Sequence, residues 1–198
     1  MIDKRKEYKF VLKNYELENF LFSIRKKINV LYPTRQITSL YFDTFDFLLY
    51  KQSRDIDSNK MKVRVRSYDN KNKYFKEIKF NDFEGKTKTI EELYTSDFED
   101  VKSIFERNMT LLPAVFTSYK RDYYQYEDIR LTVDKSISFL SHKSRSLHQK
   151  SYLFPDSVVE YKMATESPDV EKSFFMNPVA FSKYQDAISK IYNLSITS

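Results

Sequence analysis

Met61-Lys62-Val63-Arg64-Val65-Arg66-Ser67-Tyr68-Asp69 (residues 61–69) places a cation at every second position of an otherwise apolar run. A β-strand sends residues i and i+2 to the same face. A strand here therefore carries Lys62, Arg64 and Arg66 on one side, with Val63 and Val65 on the other. The same spacing recurs at Arg5-x-Glu7-x-Lys9, Glu77-x-Lys79, Lys86-x-Lys88, Arg130-x-Thr132-x-Asp134 and Glu160-x-Lys162. On a lone half-buried strand such a face turns to solvent. Six charged segments instead predict one shared surface where the strands meet. A wall of Lys and Arg on a rigid sheet suits a polyanion.

Outward from this stretch the chain reads as mostly antiparallel strands. Strands are expected at 4–13, 36–43, 61–69, 73–80, 86–94, 115–126, 128–140 and 157–163. The connections between 61 and 94 are rich in Asp, Asn and Gly, which suits hairpins. Leu17, Phe20, Leu21, Ile24 and Ile28 fall at helical spacing and predict a helix over 15–29. A short helix or turn is expected at 44–52. Ser96 and Glu99 form an S-x-x-E capping box ahead of Phe98, Val101, Ile104 and Phe105, with Pro113 closing that helix. A last helix is expected over about 178–193, with Phe181, Tyr184, Ile188, Ile191 and Tyr192 on one face. The polar segments 54–60 and 141–151 read as loops, and Ser167-Pro168-Asp169 begins another.

The 198 residues fit one α+β domain spanning 1–198 and suffice for a sizeable core. With 16 Tyr, 17 Phe and 41% hydrophobic residues the chain is no disordered segment. Its one glycine, Gly85, excludes Gly-rich phosphate loops, so phosphate binding would have to come from side chains. A net charge of +6 favours an anionic partner. There are no cysteines for disulfides or thiolate metal sites. No apolar run approaches the ~20 residues of a membrane span, and the expected setting is soluble and cytoplasmic.

Counting the charges sharpens the fold. Gathered on one face, the cations are Arg5, Lys9, Lys62, Arg64, Arg66, Lys79, Lys86, Lys88, Arg121, Arg130 and Lys162. The carboxylates are Glu7, Glu77, Asp134 and Glu160. This excess cannot form a dry paired core, because each unpaired buried ion costs about several kcal/mol. A flat sheet showing its charge outward would satisfy the count, as would a closed barrel around a watery channel. Apolar residues at the intervening positions, among them Ile78, Phe80, Leu131 and Val133, favour the barrel, with amphipathic helices covering its outer face.

The ordered set of motifs resembles the VTC domain of polyphosphate polymerases, in the triphosphate tunnel metalloenzyme (CYTH-like) superfamily. The resemblance rests on Arg5-x-Glu7-x-Lys9, Ser39-Leu40-Tyr41-Phe42-Asp43-Thr44, Lys62-x-Arg64-x-Arg66-x-Tyr68, Glu77-Ile78-Lys79, Tyr119-Lys120-Arg121, Arg130-Leu131-Thr132-x-Asp134, Glu160-Tyr161-Lys162 and Ser182-Lys183-Tyr184. It implies an eight-stranded antiparallel tunnel barrel with peripheral helices, holding ATP, triphosphate or polyphosphate. Carried over, Lys9, Arg64, Arg66 and Arg130 are the expected catalytic cations. Lys62, Lys79, Lys86, Lys88, Tyr119, Arg121, Lys162, Ser182 and Lys183 are the expected substrate-binding residues. Glu160, joined by Glu7, is the expected ligand of a divalent Mn2+ or Mg2+ ion.

Phosphoryl transfer needs alignment and charge stabilisation more than covalent chemistry. Arginines grip phosphate oxygens in a fork and lysines act as point charges. Polyphosphate synthesis from the γ-phosphate of ATP is the expected activity. Hydrolysis of triphosphate on the same fold would need a carboxylate to orient water, and Glu7 or Glu77 could serve. A non-catalytic polyanion-binding module is the third reading; no nucleic-acid partner is expected. Blander roles stand beside these. Glu7 and Lys9 alone would make a surface pair, Lys86 and Lys88 a solvated edge, and Ser182-Lys183 the start of a helix. His142 and His148 are read as loop residues without a metal.

Overall fold

The computed structural model describes residues 6–55, 59–69, 71–82, 85–126, 129–145, 148–163 and 177–194. Arg5 and the loop expected at Ser167-Pro168-Asp169 lie outside them. Ten strands are present among the described residues: β1 (Lys6–Leu12), β2 (Ile28–Asp43), β3 (Lys60–Tyr68), β4 (Tyr74–Asp82), β5 (Gly85–Leu93), β6 (Ile104–Glu106), β7 (Met109–Tyr126), β8 (Ile129–Ser141), β9 (Ser151–Leu153) and β10 (Ser157–Met163). Helices are α1 (Asn14–Ile24), α2 (Leu48–Arg54) and α3 (Lys183–Tyr192), and 3₁₀ turns occupy Phe98–Asp100 and Lys143–Arg145. None of these helices is long and apolar enough to cross a membrane.

The hydrogen-bonded strand order is β1-β10-β8-β7-β2-β3-β4-β5, with β6 beside β7 and β9 beside β8. The path is open: among the described residues no ladder joins β1 to β5. The eight-stranded closed barrel is thus corrected to a ten-stranded, mostly antiparallel sheet. Alternation identifies the faces of a strand but carries no information on closure. The two added strands, β6 and β9, have three residues each, too few to display a period. Part of the charge excess that argued for closure is also answered by carboxylates across neighbouring strands.

The chain forms two compact units. The first comprises Met1–Arg35, Tyr119–Ile137 and Phe154–Phe181; the second comprises Gln36–Ser118, Ser138–Leu153 and Ser182–Ser198. In the first, β1 pairs with β10 and β10 with β8, both antiparallel. One face of this ladder is apolar, with Phe10, Leu12, Leu131, Val133, Val159 and Tyr161 packed on Leu17, Phe20 and Ile24 of α1. The Lys13 N–H donates to the Glu16 carboxylate at 2.8 Å and so satisfies one exposed donor at the start of α1.

In the second unit β2, β3, β4 and β5 form successive antiparallel ladders. Leu40, Phe42, Met61, Val63 and Val65 bury one face against Leu49, Ile104 and Leu111. Arg145 closes an edge of this unit. Its guanidinium donates to the carbonyls of Asp43, Thr44, Phe45, Leu112 and Pro113 at 2.8–3.2 Å.

Several element boundaries differ from the sequence expectation. The helix expected over 15–29 stops at Ile24. A Lys27-to-Ile24 turn bond at 2.8 Å follows, and β2 begins at Ile28. Ile28, Val30 and Tyr32 alternate, and this period of two prevails over the helical stripe. The capping box is shifted by one residue: Asp97 accepts from Glu99 N, and Asp100 accepts from Asp97 N. It caps one 3₁₀ turn, not a helix. Ile104 and Phe105 belong instead to a hairpin turned at Arg107 and Asn108, both with positive φ (47° and 60°), as a two-residue type I′ turn requires. Pro113 lies within β7.

Candidate functional site: two charged strand faces

In the first unit the period-2 pattern brings charges of opposite sign together. Lys9 lies opposite Glu160 and Glu7 opposite Lys162, while on its other side Lys162 meets a like charge, Arg130. The Lys162 ammonium sits 3.3 Å from Glu7 and 3.1 Å from Glu160. Burial pushes Lys162 down, but Glu160 and Glu7 outweigh it and hold its pKa above the ordinary lysine value. Lys9 is 3.3 Å from Glu7 and donates to the Phe181 carbonyl at 3.0 Å. Arg121 grips buried Asp134 with two bonds of 2.5 and 2.7 Å. Its guanidinium lies 5.2 Å from the ring of buried Tyr119. Arg130 is exposed, 5.6 Å from the ring of Tyr123.

In the second unit like charges face each other. Lys62 stands opposite Lys79, and Lys79 opposite Lys88, so three lysines cross β3, β4 and β5 in one row. Lys86 extends the same face one pair further along, opposite Asn81. Next to the row lies a carboxylate with cations around it. Glu77, 2% exposed, accepts from Arg64 at 2.5 and 3.0 Å, with Lys88 at 3.3 Å and Arg66 at 3.8 Å. Burial pushes Glu77 up, yet Arg64 and then Arg66 bring its pKa down to about 2. Arg66 is itself buried and donates to Ser39 Oγ at 3.0 Å.

The start of α3 is fastened to this second face. Ser182 is its N-cap, accepting from Gln185 N, and also accepts from the Lys62 ammonium at 2.9 Å. Lys183 is the first helical residue. Two adjacent side chains of its first turn hold the helix. Tyr184 donates to the buried Asp43 carboxylate, which also accepts the backbone N–H groups of Thr44, Leu49 and Tyr50. Gln185 donates to the Ser53 carbonyl and hydroxyl at 2.8 and 2.9 Å.

The expected residues therefore fall into two sets. Glu7, Lys9, Tyr119, Arg121, Arg130, Glu160 and Lys162 belong to the first unit. Lys62, Arg64, Arg66, Lys79, Lys86, Lys88, Ser182 and Lys183 belong to the second. Sequence reasoning gave no role to Tyr41, whose hydroxyl accepts from Arg64 Nη1 at 2.9 Å. The every-second-residue pattern of 36–43 could have placed it on the charged face, since it pairs directly with Arg64. Asp43 and Arg145 were also missed.

For a divalent ion the donor set is small. Among the described residues no group of three or more His, Asp or Glu is placed to hold a metal by itself. Glu7 and Glu160 nevertheless share one cation, the Lys162 ammonium. Two carboxylates suit the mode in which Mg2+ takes few protein ligands and completes its shell with water and phosphate oxygens.

The VTC domain family model matches residues 4–102 and 81–192. Similar solved structures include a candidate adenylate cyclase from Bacillus halodurans, 16% identical with a TM-score of 0.61 over 91% of this chain and 94% of that one. Another is a protein from Pyrococcus horikoshii OT3, 13% identical with a TM-score of 0.56 over 94% of this chain and 99% of that one. At these identities the likeness concerns the fold alone. No curated protein sequence matches the chain significantly. The charged strands that carry the resemblance all lie in the matched residues, and the chain belongs to the VTC domain family.

Proposed function

We propose that the chain is a metal-dependent phosphotransferase that binds ATP, triphosphate or polyphosphate and extends polyphosphate with the γ-phosphoryl group of ATP. The row Lys62, Lys79 and Lys88 carries this reading. Like charges directly opposite on neighbouring strands are destabilising, and a row of phosphates running across them would turn that repulsion into attraction.

In the proposed reaction an oxygen of the terminal phosphate of the chain forms a new bond to the γ-phosphorus. The bond from that phosphorus to the β,γ-bridging oxygen breaks, and ADP leaves. The acceptor is already ionised and needs no strong base. Glu77, held ionised down to about pH 2, is poorly suited to take a proton from water, which leaves Glu7 as the carboxylate a hydrolase would use. Arg64 and Arg66 are the groups best placed to fork phosphate oxygens, since Glu77 and Ser39 fix their orientation before substrate arrives. Lys9 and Arg130 are proposed to add positive charge in the first unit. Glu160 and Glu7 would hold Mn2+ or Mg2+ once the Lys162 ammonium moves aside. An ion held there would supply positive charge to phosphate oxygens.

The test is product analysis by gel after incubation with ATP and Mn2+. A ladder of phosphate chains is expected, with Glu160→Gln losing the dependence on metal. Release of ADP and free phosphate with no chains would replace the reading by a triphosphatase. Binding of long DNA with a steep salt dependence, without turnover, would replace it by a polyanion-binding module.

A further inference from the structure

Tyr41 lies on β2 opposite Arg64 and is 4% exposed. Its hydroxyl accepts a hydrogen bond from Arg64 Nη1 at 2.9 Å. Among the described residues it donates none. A phenol has one proton to give, and a buried donor without an acceptor carries a desolvation penalty. The charged groups around it cannot take that proton. Arg64, Arg66 and Lys62 of β3 are all donors, and each acts on the phenol through its charge. From α3 the ring of Tyr184 stacks on Tyr41 at 5.2 Å, while its hydroxyl is given to Asp43. Glu77 of β4 is bonded to the far side of the same Arg64 guanidinium.

A donor enclosed by cations can be satisfied in two ways: it meets an incoming anion, or it loses its proton. We infer that Tyr41 is a further substrate-binding residue, whose hydroxyl donates to a phosphate oxygen of the triphosphate or polyphosphate chain held by Arg64. This rests on the phosphate-binding reading of the second face. The alternative fate of the proton is close at hand. Burial pushes the phenol up, but Arg64 and then Arg66 bring its pKa down to about 8. The two fates are linked. A bound phosphate oxygen needs the proton in place, so binding raises the pH at which Tyr41 ionises. Reciprocally, affinity falls as pH rises past about 8.

The experiment compares the wild type with Tyr41→Phe, which keeps the ring stacked on Tyr184. Tripolyphosphate binding is measured by calorimetry, and tyrosine ionisation by phenolate absorbance, each across neutral to alkaline pH. At neutral pH the variant is expected to bind about tenfold more weakly, the loss of one hydrogen bond to a charged acceptor. The wild type loses this advantage above about pH 8, whereas the variant has no such step. The absorbance step near pH 8 is absent from the variant and moves upward when tripolyphosphate is bound. Equal affinities and equal pH profiles, in a wild type that does bind, overturn the role of Tyr41 alone. A wild type that fails to bind tripolyphosphate at any pH overturns the phosphate reading of the face and this role with it.

Discussion

The two charged faces use the same strand periodicity for opposite electrostatic ends. In the first unit opposite signs meet between β1 and β10, Glu7 facing Lys162 and Lys9 facing Glu160. In the second, lysine faces lysine faces lysine. The first arrangement is nearly neutral, and its carboxylates already share a cation. The second keeps a standing positive excess, tempered by one buried carboxylate. A balanced face can exchange one cation for another, while an unbalanced one is completed only by an anion. On the proposed reading, the balanced face would suit a metal and the unbalanced one a phosphate chain.

This contrast breaks first at Glu77. Glu77→Ala leaves Arg64 and Arg66 without their counter-ion and is expected to cost about 3–5 kcal/mol in denaturant unfolding. A loss below about 1 kcal/mol, the range of exposed ion pairs, would mean that water screens this face. The pH dependence has a definite sign. The folded-state pKa of Glu77 lies below its ordinary value, so its contribution is fully present above the usual glutamate range. It is lost as pH falls toward about 2. Glu77→Gln should flatten that limb of the wild-type stability profile.

One lysine from each unit sharpens the contrast further, because their removal should act with opposite signs. Lys162→Gln takes the shared cation from Glu7 and Glu160 and is expected to destabilise by about 1 kcal/mol, as the ammonium remains partly exposed. Lys79→Gln removes the middle of the lysine row and is expected to stabilise by about 0.2–1 kcal/mol. It should weaken tripolyphosphate binding in the same protein. Melting temperatures at low and high salt check both, since salt should shrink the Lys79 gain. Two shifts of the same sign would erase the distinction between the faces.

Much of this was legible in the sequence because a strand's period is two. Lys62-x-Arg64-x-Arg66 and Glu160-x-Lys162 name their own faces, and the apolar residues between them name the core. Register is not written in a single strand. That Lys79 meets Lys62, or that Glu77 serves Arg64 across thirteen residues, depends on hairpin geometry. The helix expected after the Ser96 capping box failed for a related reason. Its apolar residues fit a helical stripe, but Arg107-Asn108 lacks the glycine that usually announces a two-residue turn. Tyr41 and Asp43 were quoted within a motif, yet their partners Arg64 and Tyr184 are distant in sequence and only folding brings them together.

Arg145, in a segment that offered no motif, bears on what this loop can tolerate. It answers five carbonyls drawn from two separate stretches of chain, Asp43 to Phe45 and Leu112 to Pro113. A lysine has three N–H groups radiating from one point and cannot serve five acceptors together. Replacing Arg145 by lysine would therefore leave carbonyls of both stretches unanswered, so this one guanidinium acts as a clasp between them.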